Sequence, residues 1–360
     1  MGTAANYGSK LRRIIGWPFA SLYGGVLRIR HALYDASILT STRPALPTIA
    51  VGNIALGGTG KTPHVELILR TLGDGAWATL SRGYGRKGTD ILEVVGTEWA
   101  EFVGDEPLQV KAHFPKVRVF VGADRVKALA HMARIAPEVK AVILDDALQH
   151  RPLRAGLNIV LTTWNKPWYN DALLPAGDLR DLPYRARQAG VVVITKCPLA
   201  PRPDEVPVWR KRLGLREGQR LFFSGLIYDR PTWLTPSTDE VPVGADAGAV
   251  LFTGIADPNP LVDHARQIWG EVRHMAFPDH HAFTRADLTR LAGVFDTFAR
   301  QRKTLVTTEK DAARLRSMII GGPLEKLPVV VIGVQAIVLT EPEQFASLLR
   351  THVGPHQAHR

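Results

Sequence analysis

The sequence predicts an α/β protein built on a mostly parallel sheet, and three observations carry that expectation. First, Thr48 to Thr71 reads TIAVGNIALGGTGKTPHVELILRT: an apolar run (Ile49, Ala50, Val51), a glycine-rich turn, Lys61 and Thr62, then Val65, Leu67, Ile68 and Leu69 at helical spacing. Second, Ala141 to His150 (AVILDDALQH) is an apolar run ending in two acids, the pattern of a buried strand opening into a loop. Third, apolar runs alternate with helical patterns on both sides of a proline-rich stretch at 198–207, which implies two layered α/β units. The expected organisation is an N-terminal amphipathic helix over 1–35, a P-loop NTPase domain over 36–217, linker strands over 218–245 and a smaller α/β domain over 246–360.

An apolar content of 45% with 22% charged residues describes a globular protein with ordinary cores. The single cysteine, Cys197, excludes a disulfide framework and a cysteine-rich zinc site. A net charge of +11 favours an anionic partner, whether nucleotide, nucleic acid or membrane surface. Nucleic acid is not expected, because no recognisable nucleic-acid module accompanies the charge.

In chain order, the first 35 residues carry Lys10, Arg12, Arg13, Arg28 and Arg30 against one acid, Asp35. Leu11, Ile15, Phe19, Leu22, Val26, Ile29 and Leu33 recur at steps of three and four and form one apolar stripe on a helix. The uncharged run from Ile14 to Leu27 is shorter than the ~20 residues a membrane span needs. Two placements fit the stripe: a helix lying on a membrane, or one docked on the protein's own core. A basic region before an apolar one also resembles a secretory signal, but the phosphate loop downstream argues against export. In that loop Gly57, Gly58, Thr59 and Gly60 let backbone N–H groups turn toward an anion at the start of a helix. Lys61 would reach the phosphates and Thr62 a Mg²⁺ ion, with Pro63 in the first helical turn; ATP and Mg²⁺ are the expected ligands. ATP in turn implies a reducing, cytoplasmic compartment. The full pattern wants glycine where the chain has Ala55.

Further on, SRGYGRKG (Ser81 to Gly88) follows a short apolar strand and is either a ligand-facing loop carrying Arg82 and Tyr84 or a solvated basic turn. Gly104-Asp105-Glu106-Pro107 places two acids at a helix start, and Asp124-Arg125 precedes another helix. Asp145 and Asp146 occupy the position of the acids that hold Mg²⁺ in phosphate-loop proteins. The loop LLPAGDLRDLPYRA offers Gly177, Asp178 and Arg180 as a substrate or nucleotide clamp, or is an ordinary surface excursion. At Thr195-Lys196-Cys197-Pro198 proline stands where guanine-reading GTPases carry aspartate, so guanine specificity has no support. Leu221 to Tyr228 and a segment near Trp233 read as paired linking strands. After Ala249 the strand–helix alternation restarts without a phosphate loop, and the residues past His352 read as a frayed polar end.

Taken together and in order, VGNIALGGTGKTP, SRGYGRK, GDEP, DDALQH, PAGDLR, TKCP, FPDHHAF and VTTEKDAARL resemble the tetraacyldisaccharide 4′-kinase family, the lipid A 4′-kinases of Gram-negative bacteria, from about residue 21 to about residue 349. The resemblance implies transfer of the γ-phosphate of ATP to the 4′-hydroxyl of a tetraacylated glucosamine disaccharide 1-phosphate, giving lipid IVA. It also implies Mg²⁺ dependence, a membrane-associating N-terminal helix and a location on the cytoplasmic face of the inner membrane. Carried over by motif, Asp105 would be the base for the sugar hydroxyl, paired with His280 of FPDHHAF, with His281 as the alternative. Lys61 would act in catalysis as well as binding, and Thr62, Asp145 and Asp146 would hold the metal. Arg82, Tyr84, Glu106, Arg125, Gln149, His150 and Arg180 match positions near nucleotide or substrate. The family usually has Asp-Asp-Gly-Phe-Gln-His where this chain has Ala147 and Leu148, which puts the fine geometry of that loop in question.

Overall fold

The computed structural model describes residues 3–354 except Trp99, Pro236 and His280, with side chains described from residue 11 onward. The strands are β1 (Thr48–Asn53), β2 (Trp77–Ser81), β3 (Leu92–Val94), β4 (Arg118–Val121), β5 (Ala141–Asp145), β6 (Leu157–Thr163), β7 (Val191–Thr195) and β8 (Arg220–Tyr228). They continue with β9 (Thr232–Trp233), β10 (Gly244–Thr253), β11 (Trp269–Ala276), β12 (Arg302–Thr308), β13 (Val329–Ile332) and β14 (Val334–Val338). Among the described residues, nine strands form one sheet in the order β14-β8-β7-β6-β1-β5-β2-β4-β3 and five form a second, β11-β10-β12-β13-β9.

Strands β1, β5 and β7 are buried along their whole length, as parallel strands covered on both faces must be. β1 lies between β5 and β6, and the chain leaves β1 toward β2 on one side and later crosses to β6 on the other. That divergence opens a crevice at the carboxyl end of β1, where the phosphate loop sits. The expected α/β class with a mostly parallel sheet is present, with antiparallel pairs at the edges (β3 with β4, β14 with β8) and in the second sheet (β9 with β13).

The expected boundaries shift. β8 extends the first sheet beside β7, while β9 joins the second sheet beside β13, so these two segments do not pair with each other. The expected second domain over 246–360 also ends early, because β14 and the last helix (Pro342–Val353) return to the first sheet. The reason is burial: Phe222 of β8 packs at 5.1 Å, edge to face, on Phe345, and Ala336, Phe345 and Leu349 complete the core shared with β1 and the loop helix. Pairing with β14 also covers a sheet edge that would otherwise expose unpaired backbone groups.

The N-terminal helix (Thr3–Asp35) is docked and exposed at once. Gly16, Ala20, Gly24, Leu27 and His31 face the protein, whereas Leu11, Ile14, Ile15, Trp17, Phe19, Leu22, Val26 and Ile29 face outward. Small residues set the orientation. A Cβ on Gly16 would lie 2.8 Å from the Ala176 backbone, and one on Gly24 2.9 Å from Leu173, so only the glycine side can approach the loop at 173–176. No helix among the described residues is long and apolar enough to cross a membrane.

Candidate active site

The phosphate loop is braced from several strands. Gly60 adopts a left-handed conformation (φ 83°), which lets the chain enter the loop helix (Lys61–Leu72) at Lys61. Asn53 Nδ2, at the end of β1, donates to Thr59 Oγ1 (2.8 Å), and Thr195 Oγ1 of β7 donates to the Thr59 carbonyl (2.9 Å). His64 of the loop helix donates from Nδ1 to the Gly60 carbonyl (2.7 Å) while its Nε2 accepts from Ser224 Oγ of β8 (2.8 Å). Burial pulls its pKa down to about 4, so the ring stays neutral and that donor–acceptor pattern is kept at neutral pH.

The two acids after β5 have different partners. Asp146, at φ 50°, is held by Arg180, whose Nη1 donates to Oδ2 (3.0 Å) and whose Nη2 donates to Oδ1; Lys61 Nζ stands 3.9 Å away. Burial raises this carboxyl, but the Arg180 bond and the charges of Lys61, Arg180 and Arg125 outweigh it and leave it below the usual range. Asp145 is buried beside Val51 of β1, and its Oδ1 has no hydrogen-bond partner among the described residues. Burial and then the charge of Glu106 push it up to about 7, with Lys61 opposing. A buried carboxylate oxygen left without a donor is the feature a cation would satisfy.

The Ala147 and Leu148 departure has a local explanation. The left-handed residue of this loop is Asp146, a type that tolerates that region, and Ala147 has no positive φ to sustain. Leu148 packs on Gly52, where an added Cβ would come within 2.8 Å of Leu148 Cγ.

Around the acids lie several of the expected binding residues. Arg180 Nη2 also donates to Asn53 Oδ1 (2.5 Å), and Gln149 Nε2 to the Asn53 carbonyl (2.8 Å). Arg125 is buried, donates Nη1 to the Ala123 carbonyl (2.9 Å) and has no hydrogen-bond partner for Nε among the described residues. Its basicity is lowered by burial and by Arg82, against the pull of Asp145 and Asp146. His150 lies in the same field, its pKa lowered by burial and by Arg125. Tyr84 is 74% exposed, in a loop whose flanking glycines, Gly83 and Gly85, both have positive φ.

Asp105 and Glu106 open the acid helix (Asp105–His113) and are met by the bridging helix (Glu309–Ile319) of the second domain. Arg314 Nη2 donates to Asp105 Oδ2 (2.5 Å), and Lys310 Nζ to Glu106 Oε1 (3.0 Å). The loop after β10 closes on the phosphate loop, with Ala256 near Gly58 and Asp257 3.8 Å from Lys196. The site therefore lies between the two sheets. Of the expected histidines, His280 lies outside the described residues, and His281 is committed elsewhere: its Nε2 donates to Asp287 Oδ2 (3.0 Å) and its ring packs between Phe277 and Phe283.

Sequence reasoning missed Asn53, His64, Thr195, Lys310, Arg314 and His113. Lys310 and Arg314 did carry a signal, since cations four apart share a helix face. His113 joins three helices, donating from Nδ1 to Glu66 Oε1 of the loop helix (3.1 Å) and from Nε2 to Glu309 Oε1 of the bridging helix (2.9 Å). These bonds, that to Glu309 first, push its pKa up to about 10. A histidine raised from its ordinary ~6.5 adds stability that is fully present below that value, declines as pH rises and is gone above about 10. His113→Gln is therefore expected to lower the urea midpoint at pH 7 by an amount equivalent to ~1 kcal/mol, given the ring's partial exposure. The deficit should shrink to nothing once the buffer passes pH 10, and a deficit independent of pH would exclude the clamp.

A glycine loop at the carboxyl end of a central strand, followed by a Lys-Thr helix start and a strand-end aspartate pair, defines a phosphate-loop nucleotide-binding enzyme. The model of the family described as "Tetraacyldisaccharide-1-P 4'-kinase" matches residues 12–354, and the chain belongs to that family. Two similar proteins, both named tetraacyldisaccharide 4'-kinase, are those of Bacteroides thetaiotaomicron (35% identical, covering 83% of this chain and 82% of that one) and Flavobacterium johnsoniae (38% identical, 89% and 92%). Among solved structures, LpxK from Aquifex aeolicus, crystallised in complex with ATP, superposes with a TM-score of 0.71 at 26% identity, covering 95% of this chain and 99% of that one.

Proposed function

We propose that the chain transfers the γ-phosphate of ATP to the 4′-hydroxyl of a tetraacylated glucosamine disaccharide 1-phosphate at the cytoplasmic face of the inner membrane. One observation carries the lipid half of this reading: the helix with the outward apolar face is wired, on its inner face, to the loops that flank the nucleotide site. Arg12 donates to Asp178 (2.8 Å) and to the Gly177 carbonyl (2.6 Å), Tyr23 to the Arg180 carbonyl (2.8 Å), Arg30 to the Gln149 carbonyl (3.0 Å) and His31 to Asp181 (2.7 Å). A substrate held at the membrane surface by its acyl chains would thus present its headgroup beside Gln149 and Arg180.

Lys61 and the loop N–H groups bind the phosphates of ATP, and Lys61 offsets charge on the group in transfer. The Asp145 oxygen that has no partner among the described residues fits a divalent cation. Thr62 and Asp145 would hold it, with Asp146 steered by Arg180. Mg²⁺, when bound, supplies charge neutralisation on the phosphate oxygens. Asp105, positioned by Arg314, accepts the proton of the 4′-hydroxyl as the new O–P bond forms and ADP leaves; His280 is retained as its partner on the strength of the FPDHHAF motif.

Incubation with γ-labelled ATP and the disaccharide 1-phosphate should place label on the 4′ position, whereas label on no lipid acceptor would overturn the reading. Replacing Ile14, Trp17 and Leu22, 73%, 68% and 70% exposed, by serine should weaken sedimentation with anionic vesicles and raise KM for lipid while leaving ATP binding unchanged. Unaltered sedimentation would assign that face to something other than a membrane.

A further inference from the structure

Beneath the last turn of the N-terminal helix lies a cavity of about 880 Å³ that the phosphoryl-transfer site does not use. It is bounded by the segment at 34–41 that leaves the helix, the chain following His150 and the segments at 185–190 and 216–219 that lead into β7 and β8, with Ile54, Leu148 and Val160 as an apolar floor. Its polar lining is dominated by arginine. Arg151 keeps one edge on Asp35 (Nη2 to Oδ1, 2.7 Å) and lies over the Tyr34 ring (5.1 Å), while its buried Nη1 has no acceptor among the described residues. Arg185 donates Nη1 to Gln188 Oε1, and its Nε, also buried, likewise has no acceptor among the described residues.

Burial, and after it the neighbouring charge of Arg151, lowers the basicity of Arg185. The counter-charges nearby are largely committed: Asp35 to Arg151, and Asp181 to His31 and the Leu182 N–H. Arg154, Arg187 and Arg216 add positive charge to the lining against Glu217. Two buried guanidinium N–H donors without acceptors, in a roomy pocket of like charge, are costly to hold unless an anion completes them.

We propose that this cavity binds the phosphate of a phospholipid headgroup or an equivalent free phosphate, with the guanidinium groups of Arg151 and Arg185 as its donors. Guanidinium N–H groups make charge-assisted hydrogen bonds to phosphate oxygens, and a cavity of this size has room for a tetrahedral group. A lipid source fits the location, because the cavity lies at the root of the helix whose outward face is apolar. The proposal goes beyond the kinase reading, since nothing in it requires ATP in the phosphate loop.

The test uses the full chain saturated with MgADP, so that the phosphate loop is already filled. Inorganic phosphate and glycerol phosphate are titrated calorimetrically, and the protein is sedimented with phosphatidylcholine vesicles with or without phosphatidylglycerol. Arg185→Gln should weaken phosphate binding by about tenfold or more without changing ADP affinity or the melting temperature, and Arg151→Lys, which retains a cation for Asp35, should weaken it similarly. Loss of the phosphatidylglycerol dependence in the same variants supports a lipid headgroup as the source; loss of phosphate binding alone supports a soluble anion. If both variants fold and bind phosphate and anionic vesicles as the wild type does, or the wild type itself binds no phosphate beyond the filled loop, the proposal is overturned.

Discussion

Lys61→Ala is expected to lower kcat by roughly two to three orders of magnitude, the loss seen when a fixed charge that stabilises a developing anion is removed. The fold should survive, because the side chain contributes no core packing: it emerges from the first residue of the loop helix, and its ammonium stands 3.9 Å from Asp146 at the mouth of the crevice. Arg180 continues to hold Asp146 in the variant, so the loop after β5 keeps its conformation. Steady-state turnover of labelled ATP, with circular dichroism to confirm folding, decides the matter. A folded variant within a few-fold of the wild-type rate would remove the nucleotide-site assignment.

Asp105→Asn should lower kcat by about 10²–10⁴-fold, the usual range for losing a positioned base, with little change in KM for ATP. The amide keeps the shape of the carboxylate and still accepts from Arg314, so the loss isolates proton acceptance from the interdomain contact. Arg314→Ala acts through the same carboxylate by releasing it from the bridging helix. The double variant should therefore lose much less than the product of the two single losses. Fully multiplicative losses would show that Arg314 and Asp105 act separately, and an Asp105→Asn enzyme near wild-type activity would leave the proton acceptor elsewhere.

The parts of the site that could be read in advance are short-range. The phosphate loop needs only a strand, glycines free to take positive φ and a helix start, all within 24 consecutive residues, and Gly57 and Gly60 do take that conformation. The acids at the end of β5 follow from a buried strand running into its loop, and the ordered motifs marked the family from the residues alone. The FPDHHAF segment depends on longer-range packing. A pair of adjacent histidines cannot be told apart by sequence, whereas packing between Phe277 and Phe283 commits His281 to Asp287.

What the sequence by itself determined, then, is whatever is set within one turn or one strand: the phosphate cradle, the acids beside it and the apolar stripe of the first helix. Only the tertiary structure decided which way that stripe faces. The same periodicity serves a docked helix or an exposed one, and the outcome rests on the close approach of Gly16 and Gly24 to the loop at 173–176. It also decided that β14 and the last helix return to the first sheet, and that Arg314 and Lys310 meet acids 209 and 204 residues away. Such contacts depend on how whole elements pack against one another after loop closure, which the local backbone preferences and spacing that make helices and strands do not specify.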